Sequence, residues 1–303
     1  MLRLQNITKN FSDITAVSEL SLEIPQESIF GLLGPNGAGK TTTIRMIMNI
    51  IKPDQGQITY QQEPLTKKTY RKIGYLPEER GLYQKRPLAA TIEYFAKLKG
   101  LDSETAEEQT NHYLGRFDLL AYAKKNIEEL SKGNQQKVQF IISIIHEPEI
   151  LILDEPFSGL DPVNQLLIKD IISEIHENGA TIIFSTHQME QVEKICDTIC
   201  LINNGKKVLF GKLKEIKRNY GAKIINLEFD GKCEQLQYIE NLKDIKISNS
   251  RFRAELVDQN KLNSVLREIM SRVDVNHFEV LEPSLEQIFI DNVNQDQPGG
   301  LNG

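Results

Sequence analysis

The chain has 303 residues, 40% of them hydrophobic and 26% charged, with a formal net charge of −6 at pH 7. That balance belongs to a soluble globular protein of one large or two ordinary domains and excludes a largely disordered chain. The longest apolar runs, such as Ile29 to Leu33 and Ile150 to Leu153, fall far short of the roughly 20 residues a membrane-spanning helix needs. The negative net charge also argues against a nucleic-acid surface, which presents a clustered basic face.

From Met1 to Ile7 the sequence alternates like a strand and lacks the apolar core of a secretory signal, so the expected compartment is the cytosol. Cys196, Cys200 and Cys233 form no C-x-x-C pair and leave an odd count, which reads as reduced thiols. Residues 1 to about 30 predict short strands, with Phe11 and the small pair Ala16-Val17 between them. Ile29 to Leu33 predicts a buried strand, followed by a glycine-rich loop and a helix from near Lys40 carrying Ile44, Ile47, Met48 and Ile51, stopped by Pro53. From about 85 to 147 the pattern is helical, with Ile92, Phe95 and Leu98 on one face, Ser103 as a helix N-cap, and a helix from Asn134 to His146. Ile150 to Leu153 and Thr181 to Phe184 are short apolar runs flanking an amphipathic segment, the alternation that builds a parallel sheet. Asn203-Asn204-Gly205 predicts a hairpin turn between 198–202 and 206–210.

Beyond about 215 the composition shifts, and the predicted order is strand (222–229), helix (234–241), two strands (245–248 and 252–257), helix (261–272) and strand (275–281). This β-α-β-β-α-β order implies a separate ferredoxin-like domain over 216–293. A last short helix is expected over 285–293, and the polar, glycine-containing stretch 294–303 reads as a flexible tail.

The chemistry begins at Gly34-Pro35-Asn36-Gly37-Ala38-Gly39-Lys40-Thr41, which fits the phosphate-loop pattern G-x-x-x-x-G-K-[ST] between a strand and a helix. Its glycines let backbone N–H groups turn inward on phosphates, and the helix directs its positive dipole end the same way. The nucleotide-contacting stretch is expected to run through Thr42, with Lys40 on the β- and γ-phosphates and the Thr41 hydroxyl on a magnesium ion, a hard cation that prefers oxygen. Downstream, the strand Ile150 to Leu153 ends in Asp154-Glu155. Carboxylates at the carboxyl end of a parallel strand suit a second magnesium-side element at Asp154 and a general base at Glu155 that polarises an attacking water.

Leu130-Ser131-Lys132-Gly133-Asn134-Gln135-Gln136 resembles the L-S-G-G-Q signature of ATP-binding cassette proteins. It is followed by Asp154-Glu155-Pro156, Ser158-Gly159-Leu160-Asp161 and Ser185-Thr186-His187 in the order that family shows, so the resemblance covers residues 1 to about 215. It implies a P-loop α/β nucleotide-binding domain over 1–215, with an antiparallel β subdomain and a helical subdomain. It also implies a head-to-tail dimer in which each ATP lies between one phosphate loop and the partner's Ser131 and Gly133. His187 resembles the switch histidine that senses the γ-phosphate, Phe11 the aromatic that stacks on adenine, and Asp161 the loop aspartate that links the two sites. Glu78 stands where the family usually has a glutamine near the magnesium, and Lys132 and Asn134 replace a signature glycine and glutamine; an active ATPase is still expected.

The stretch 74–83, together with the C-terminal domain, resembles the bacterial exporter branch that includes sodium-efflux cassettes. The implied function is a peripheral ATPase subunit on the cytoplasmic face of the membrane, held by a separate polytopic permease, with no nucleic-acid partner. A soluble cassette ATPase acting on ribosomes or DNA is the alternative. It fits less well, because one phosphate loop is present and the short separation of Lys40 from Asp154 leaves no room for a long coiled coil. A nucleotide-sensing regulator without turnover is disfavoured by Glu155.

Overall fold

The computed structural model describes residues 1–79, 81–220, 223–231 and 233–295. The expected flexible tail therefore lies outside the described residues from position 296 on, as do Arg80, Ala222 and the side chain of Cys233. The described chain forms two compact units, Met1–Gly211 and a second beginning at Lys212.

The first unit opens with two long strands, β1 (Leu2–Phe11) and β2 (Ile14–Ile24), rather than several short ones. They pair antiparallel through three register shifts, and Asn6 and Glu19 take positive φ, so the alternation that marks a strand is broken along both. Next come β3 (Ile29–Leu33) and α1 (Lys40–Ile47), which stops a turn earlier than its apolar spacing predicts because Met48 caps it. Strands β4 (Gln55–Tyr60) and β5 (Glu63–Pro64) complete a four-stranded sheet in the order β2-β1-β4-β5.

After α2 (Lys67–Arg71) and β6 (Ile73–Leu76), a helical insertion follows: α3 (Leu88–Lys99), α4 (Ser103–Arg116) and α5 (Lys132–Ile144). The N-cap of α4 is Asp102, whose carboxylate accepts from the Thr105 amide at 2.9 Å, and not Ser103. Likewise α5 begins two residues before Asn134, because Ser131 caps it. The chain continues through β7 (Ile150–Asp154), α6 (Pro162–Glu177), β8 (Thr181–Thr186), α7 (Met189–Ile195), β9 (Thr198–Asn203) and β10 (Lys206–Lys212). The second sheet has the order β10-β9-β3-β8-β7-β6, with parallel pairing at β9/β3, β3/β8, β8/β7 and β7/β6. All of β3, β7 and β8 are buried, as the unbroken apolar runs demand of strands covered on both faces. Their side chains form one core with α1 and β1/β2, through Phe30, Ile44, Ile152, Ile183 and Leu20.

The second unit contains α8 (Leu213–Tyr220), β11 (Lys223–Asp230), β12 (Leu242–Ser248), β13 (Arg251–Leu256), α9 (Leu262–Arg272), β14 (Asp274–Leu281) and α10 (Leu285–Gln295). Its sheet order is β12-β13-β11-β14, antiparallel throughout, and its core gathers Leu227, Phe229, Phe252, Val265 and Ile269. Where an α-helix is expected over 234–241, a 3-10 stretch spans Cys233–Tyr238.

One partly buried titratable group in the first unit has a measurable consequence. His146, just past α5, points Nε2 at the Ile73 carbonyl at 3.3 Å and leaves Nδ1 without a partner among the described residues. Burial, with the nearby Lys99 ammonium, pushes its pKa down to about 4, against the Ile73 hydrogen bond. Between pH 6.5 and about 4 the unfolded chain therefore takes up a proton that the folded chain refuses. Stability from this residue is full above that window and falls through it as pH is lowered, by on the order of 3 kcal/mol. A His146→Gln variant should lose less of its urea midpoint than the parent between about pH 7 and about pH 4.5; equal losses would exclude His146 as a source of acid sensitivity.

Candidate functional site

The carboxyl ends of β3, β7 and β8 lie side by side, with Leu33 opposite Thr186 and Asp154 opposite Ser185. From this level the chain leaves β3 into the 34–39 loop and α1, leaves β7 into Glu155, and leaves β8 into His187. A cavity of about 220 Å³ opens there, lined by Asn36, Gly37, Gly39, Lys40, Thr41, Thr42, Glu78, Asp154, Glu155 and Ala16. Gly34, Pro35 and Ala38 build the same loop from behind.

The loop depends on glycine at two positions. Gly39 has φ +104°, and a Cβ there would sit 2.5 Å from the Ala16 carbonyl oxygen; Gly34 has φ +151°, and a Cβ would sit 2.1 Å from the Ile202 carbonyl oxygen. Both contacts are to backbone, which cannot swing aside. The loop is thus wedged between strands β2 and β9. Lys40, only 6% exposed, donates Nζ to the carbonyl oxygens of Gly34 at 2.8 Å and Pro35 at 3.1 Å. Burial lowers its pKa, while Glu155, Asp154 and Glu78 pull it back up.

Asp154 is 1% exposed, and neither carboxylate oxygen has a hydrogen-bond partner among the described residues. Burial raises its pKa; the Ser185 and Thr41 hydroxyls nearby oppose that shift. Glu155, also buried, takes φ +50°, an unfavourable conformation for a residue with a side chain. Its amide donates to the Ser185 carbonyl at 2.9 Å. Its carboxylate is held from the neighbouring loop: Oε1 accepts from His187 N at 2.9 Å and lies 2.7 Å from His187 Nδ1, and Oε2 accepts from Thr186 Oγ1 at 2.9 Å. An ionised carboxylate only accepts, so Nδ1 carries the imidazole proton.

The sequence-selected residues thus fall into two groups. The loop, Thr41, Thr42, Glu78, Asp154 and Glu155 surround one cavity, and His187 joins it through Glu155. Phe11 ends β1, 47% exposed, with Lys9 Nζ 5.6 Å from its ring centroid, and does not line the cavity. Ser131 and Asp161 are exposed N-caps of α5 and α6, accepting from the amides of Asn134 and Asn164. They too stand outside the cavity, with Gly133, where a Cβ would lie 3.8 Å from the Gly159 carbonyl oxygen. Sequence reading missed Ala16, which contributes backbone, and the hydroxyl of Thr186, whose partner is remote in sequence.

Residues 17–158 match the ABC transporter family, and residues 211–293 match the C-terminal domain of DrrA1-3-like ATP-binding proteins. The chain is 43% identical over 293 residues to the ABC transporter ATP-binding protein YhaQ of Bacillus subtilis, covering 97% of this chain and 98% of that one. It belongs to the ABC transporter ATP-binding proteins. A second relative, the linearmycin resistance ATP-binding protein LnrL of the same species, is 31% identical over 96% of this chain and 97% of its own. Among solved structures, the ATP-binding subunit of an ABC transporter superposes with TM-score 0.69 and 29% identity, covering 73% of this chain and 93% of that one. A dimeric post-hydrolysis cassette, MJ0796 bound to ADP and Pi, shares the fold with TM-score 0.64 and 24% identity, covering 70% and 99%. The fold is therefore a P-loop ABC nucleotide-binding domain followed by an α+β domain, and the protein is a cassette ATPase, the ATP-binding subunit of an ABC transporter.

Gly39→Ala forces a Cβ against a backbone oxygen and into a left-handed conformation costing about 1–3 kcal/mol, so ATP affinity should fall at least about tenfold in a fluorescent-nucleotide titration. Parental affinity in this variant would mean that the loop is not held by its contact with Ala16.

Proposed function

We propose that Glu155 is the general base for ATP hydrolysis, that Lys40 and the 34–42 stretch grip the phosphates, and that the completed site needs a second copy of the chain. The observation carrying this reading is the buried, hydrogen-bond-free carboxylate of Asp154 beside Thr41, one residue before a carboxylate fixed by the next loop. Oxygen donors left bare at 1% exposure suit a hard divalent cation. Thr41, Asp154 and, at the mouth, Glu78 are the residues that would hold magnesium, which when bound neutralises phosphate charge.

The remaining roles belong to the chain's own groups. Lys40 exchanges its carbonyl partners for phosphate oxygens, and the amides of the loop and of the first turn of α1 face the same anion. Glu155 orients a water and accepts its proton. With Nδ1–H committed to Glu155, His187 reaches a γ-phosphate oxygen through Nε2. Ser131 and Gly133, outside this chain's cavity, would serve a partner's nucleotide, with Asp161 at the seam and Phe11 against adenine.

ABC cassettes dimerise and work with membrane permeases, and among the described residues no helix is long and apolar enough to cross a membrane. We infer a homodimer held at the cytoplasmic face by a separate polytopic permease. A partly exposed aromatic group at the start of the helical insertion supports this: Tyr83 stacks on Phe95 and Tyr94 meets both edge-on, with ring centroids 5.5–6.3 Å apart, flanked by Arg86 and by exposed Leu98. Export is the direction favoured by the likeness to LnrL and to the DrrA1-3-like C-terminal domain. For residues 216–293 the sheet order β12-β13-β11-β14 supports a ferredoxin-like domain, distinct from the cassette that ends near 215.

Glu155→Gln should lower ATPase activity by at least about a hundredfold and accumulate an ATP-bound dimer in size-exclusion chromatography. Turnover at the parental rate would remove Glu155 as the base. Tagged protein solubilised from host membranes should recover a polytopic membrane protein by mass spectrometry; recovery of ribosomes or DNA factors alone would favour a soluble cassette ATPase.

A further inference from the structure

Thr186 ends β8 and is 3% exposed. A hydroxyl buried at that depth disfavours folding unless its hydrogen-bonding capacity is met. Here it is met in a directional way. Gln188 N donates to Thr186 Oγ1 at 3.1 Å, which occupies its acceptor side and commits its own proton to Glu155 Oε2 at 2.9 Å. Both His187 contacts fall on the other oxygen, Oε1. The two carboxylate oxygens are therefore held independently, one by the histidine and one by the threonine.

The parallel register explains why this residue is in reach. Asp154 is paired with Ser185, so the next residue on each strand, Glu155 and Thr186, emerges at the same level. Glu155 sits in a left-handed backbone conformation, which aims its side chain across toward β8 rather than along its own strand.

We propose that Thr186 is a positioning residue for hydrolysis, fixing the rotation of the Glu155 carboxylate through Oε2 so that the base meets its water in one orientation. A valine of the same shape would fill the space without holding the carboxylate. The proposal rests on the reading of Glu155 as the base, and the following variants of the full-length chain separate the two.

Thr186→Val should lower kcat about ten- to a hundredfold, the equivalent of one hydrogen bond to a charged group, and leave the KM for ATP within about threefold. Thr186→Ser should restore most of the rate, and Thr186→Val added to Glu155→Gln should cause no further loss. ATP-dependent dimerisation of each variant reports that it is folded. A Thr186→Val enzyme within twofold of the parent would overturn the proposal while Glu155→Gln stays inactive. So would a Thr186→Ser enzyme as slow as the valine variant, or a full additional loss in the double variant. Parental turnover by Glu155→Gln would overturn the base assignment and this proposal with it.

Discussion

The site is organised around an ammonium that the fold buries before any nucleotide arrives. Lys40 is enclosed at the start of α1, and burial alone would favour its neutral form; the carboxylates of Glu155, Asp154 and Glu78 oppose that and keep a charged group where phosphates would sit. Its hydrogen bonds in this state go to the loop's own carbonyl oxygens at Gly34 and Pro35. Bonds to neutral carbonyls are weaker than charge-assisted bonds to phosphate. In the proposed mode of binding, Lys40 would exchange these partners for phosphate oxygens.

What shapes the cavity is strand register. The parallel strands β3, β7 and β8 deliver the loop, the acidic pair and the 185–187 segment to one level, and because both faces of these strands are buried, a one-residue slip would expose polar groups to the core. The same register explains the opposed treatment of two adjacent carboxylates. Asp154 completes β7 and is left with bare oxygens among hydroxyls, whereas Glu155, turned by its positive φ, is tied by donors from across the sheet. Adjacent residues of the same charge thereby take different environments, one with bare oxygens and the other held by donors, as the proposed metal-side and base roles would require.

Much of this was legible in the sequence because its parts are consecutive. The loop from Gly34 to Thr41 and the run into Asp154-Glu155 declare both their chemistry and their flanking elements. The long β1 and β2 were not legible as such, since bulges and residues such as Asn6 and Glu19 interrupt their alternation. Helix α5 starts two residues before the expected Asn134, and at α4 two cap residues adjoin, Asp102 and Ser103. Propensity does not choose between them, and the choice is made by which side chain reaches the third amide of the helix. In the second unit the strand order is local enough to read, but the 3-10 stretch at Cys233–Tyr238 is not. Ala16 and Thr186 escaped for a different reason: one acts through its backbone oxygen and the other through a partner on another strand.

The two N-caps outside the cavity carry the argument for a second copy one step further. Ser131 already accepts from Asn134 N, and Asp161 already accepts from Asn164 N, so each has used accepting capacity to start its own helix. What Ser131 retains is its hydroxyl proton, and behind it the amides of Lys132 and Gly133 have no intrahelical acceptor. These are donors without an anion, exposed on a helix end that favours negative charge. Gly133, lacking a side chain, lies against the Gly159 carbonyl, so the donor end of α5 and the loop leading into Asp161 are packed as one surface. In the proposed head-to-tail pair, the grip around Lys40 of one chain and these donors of the other would face the same nucleotide.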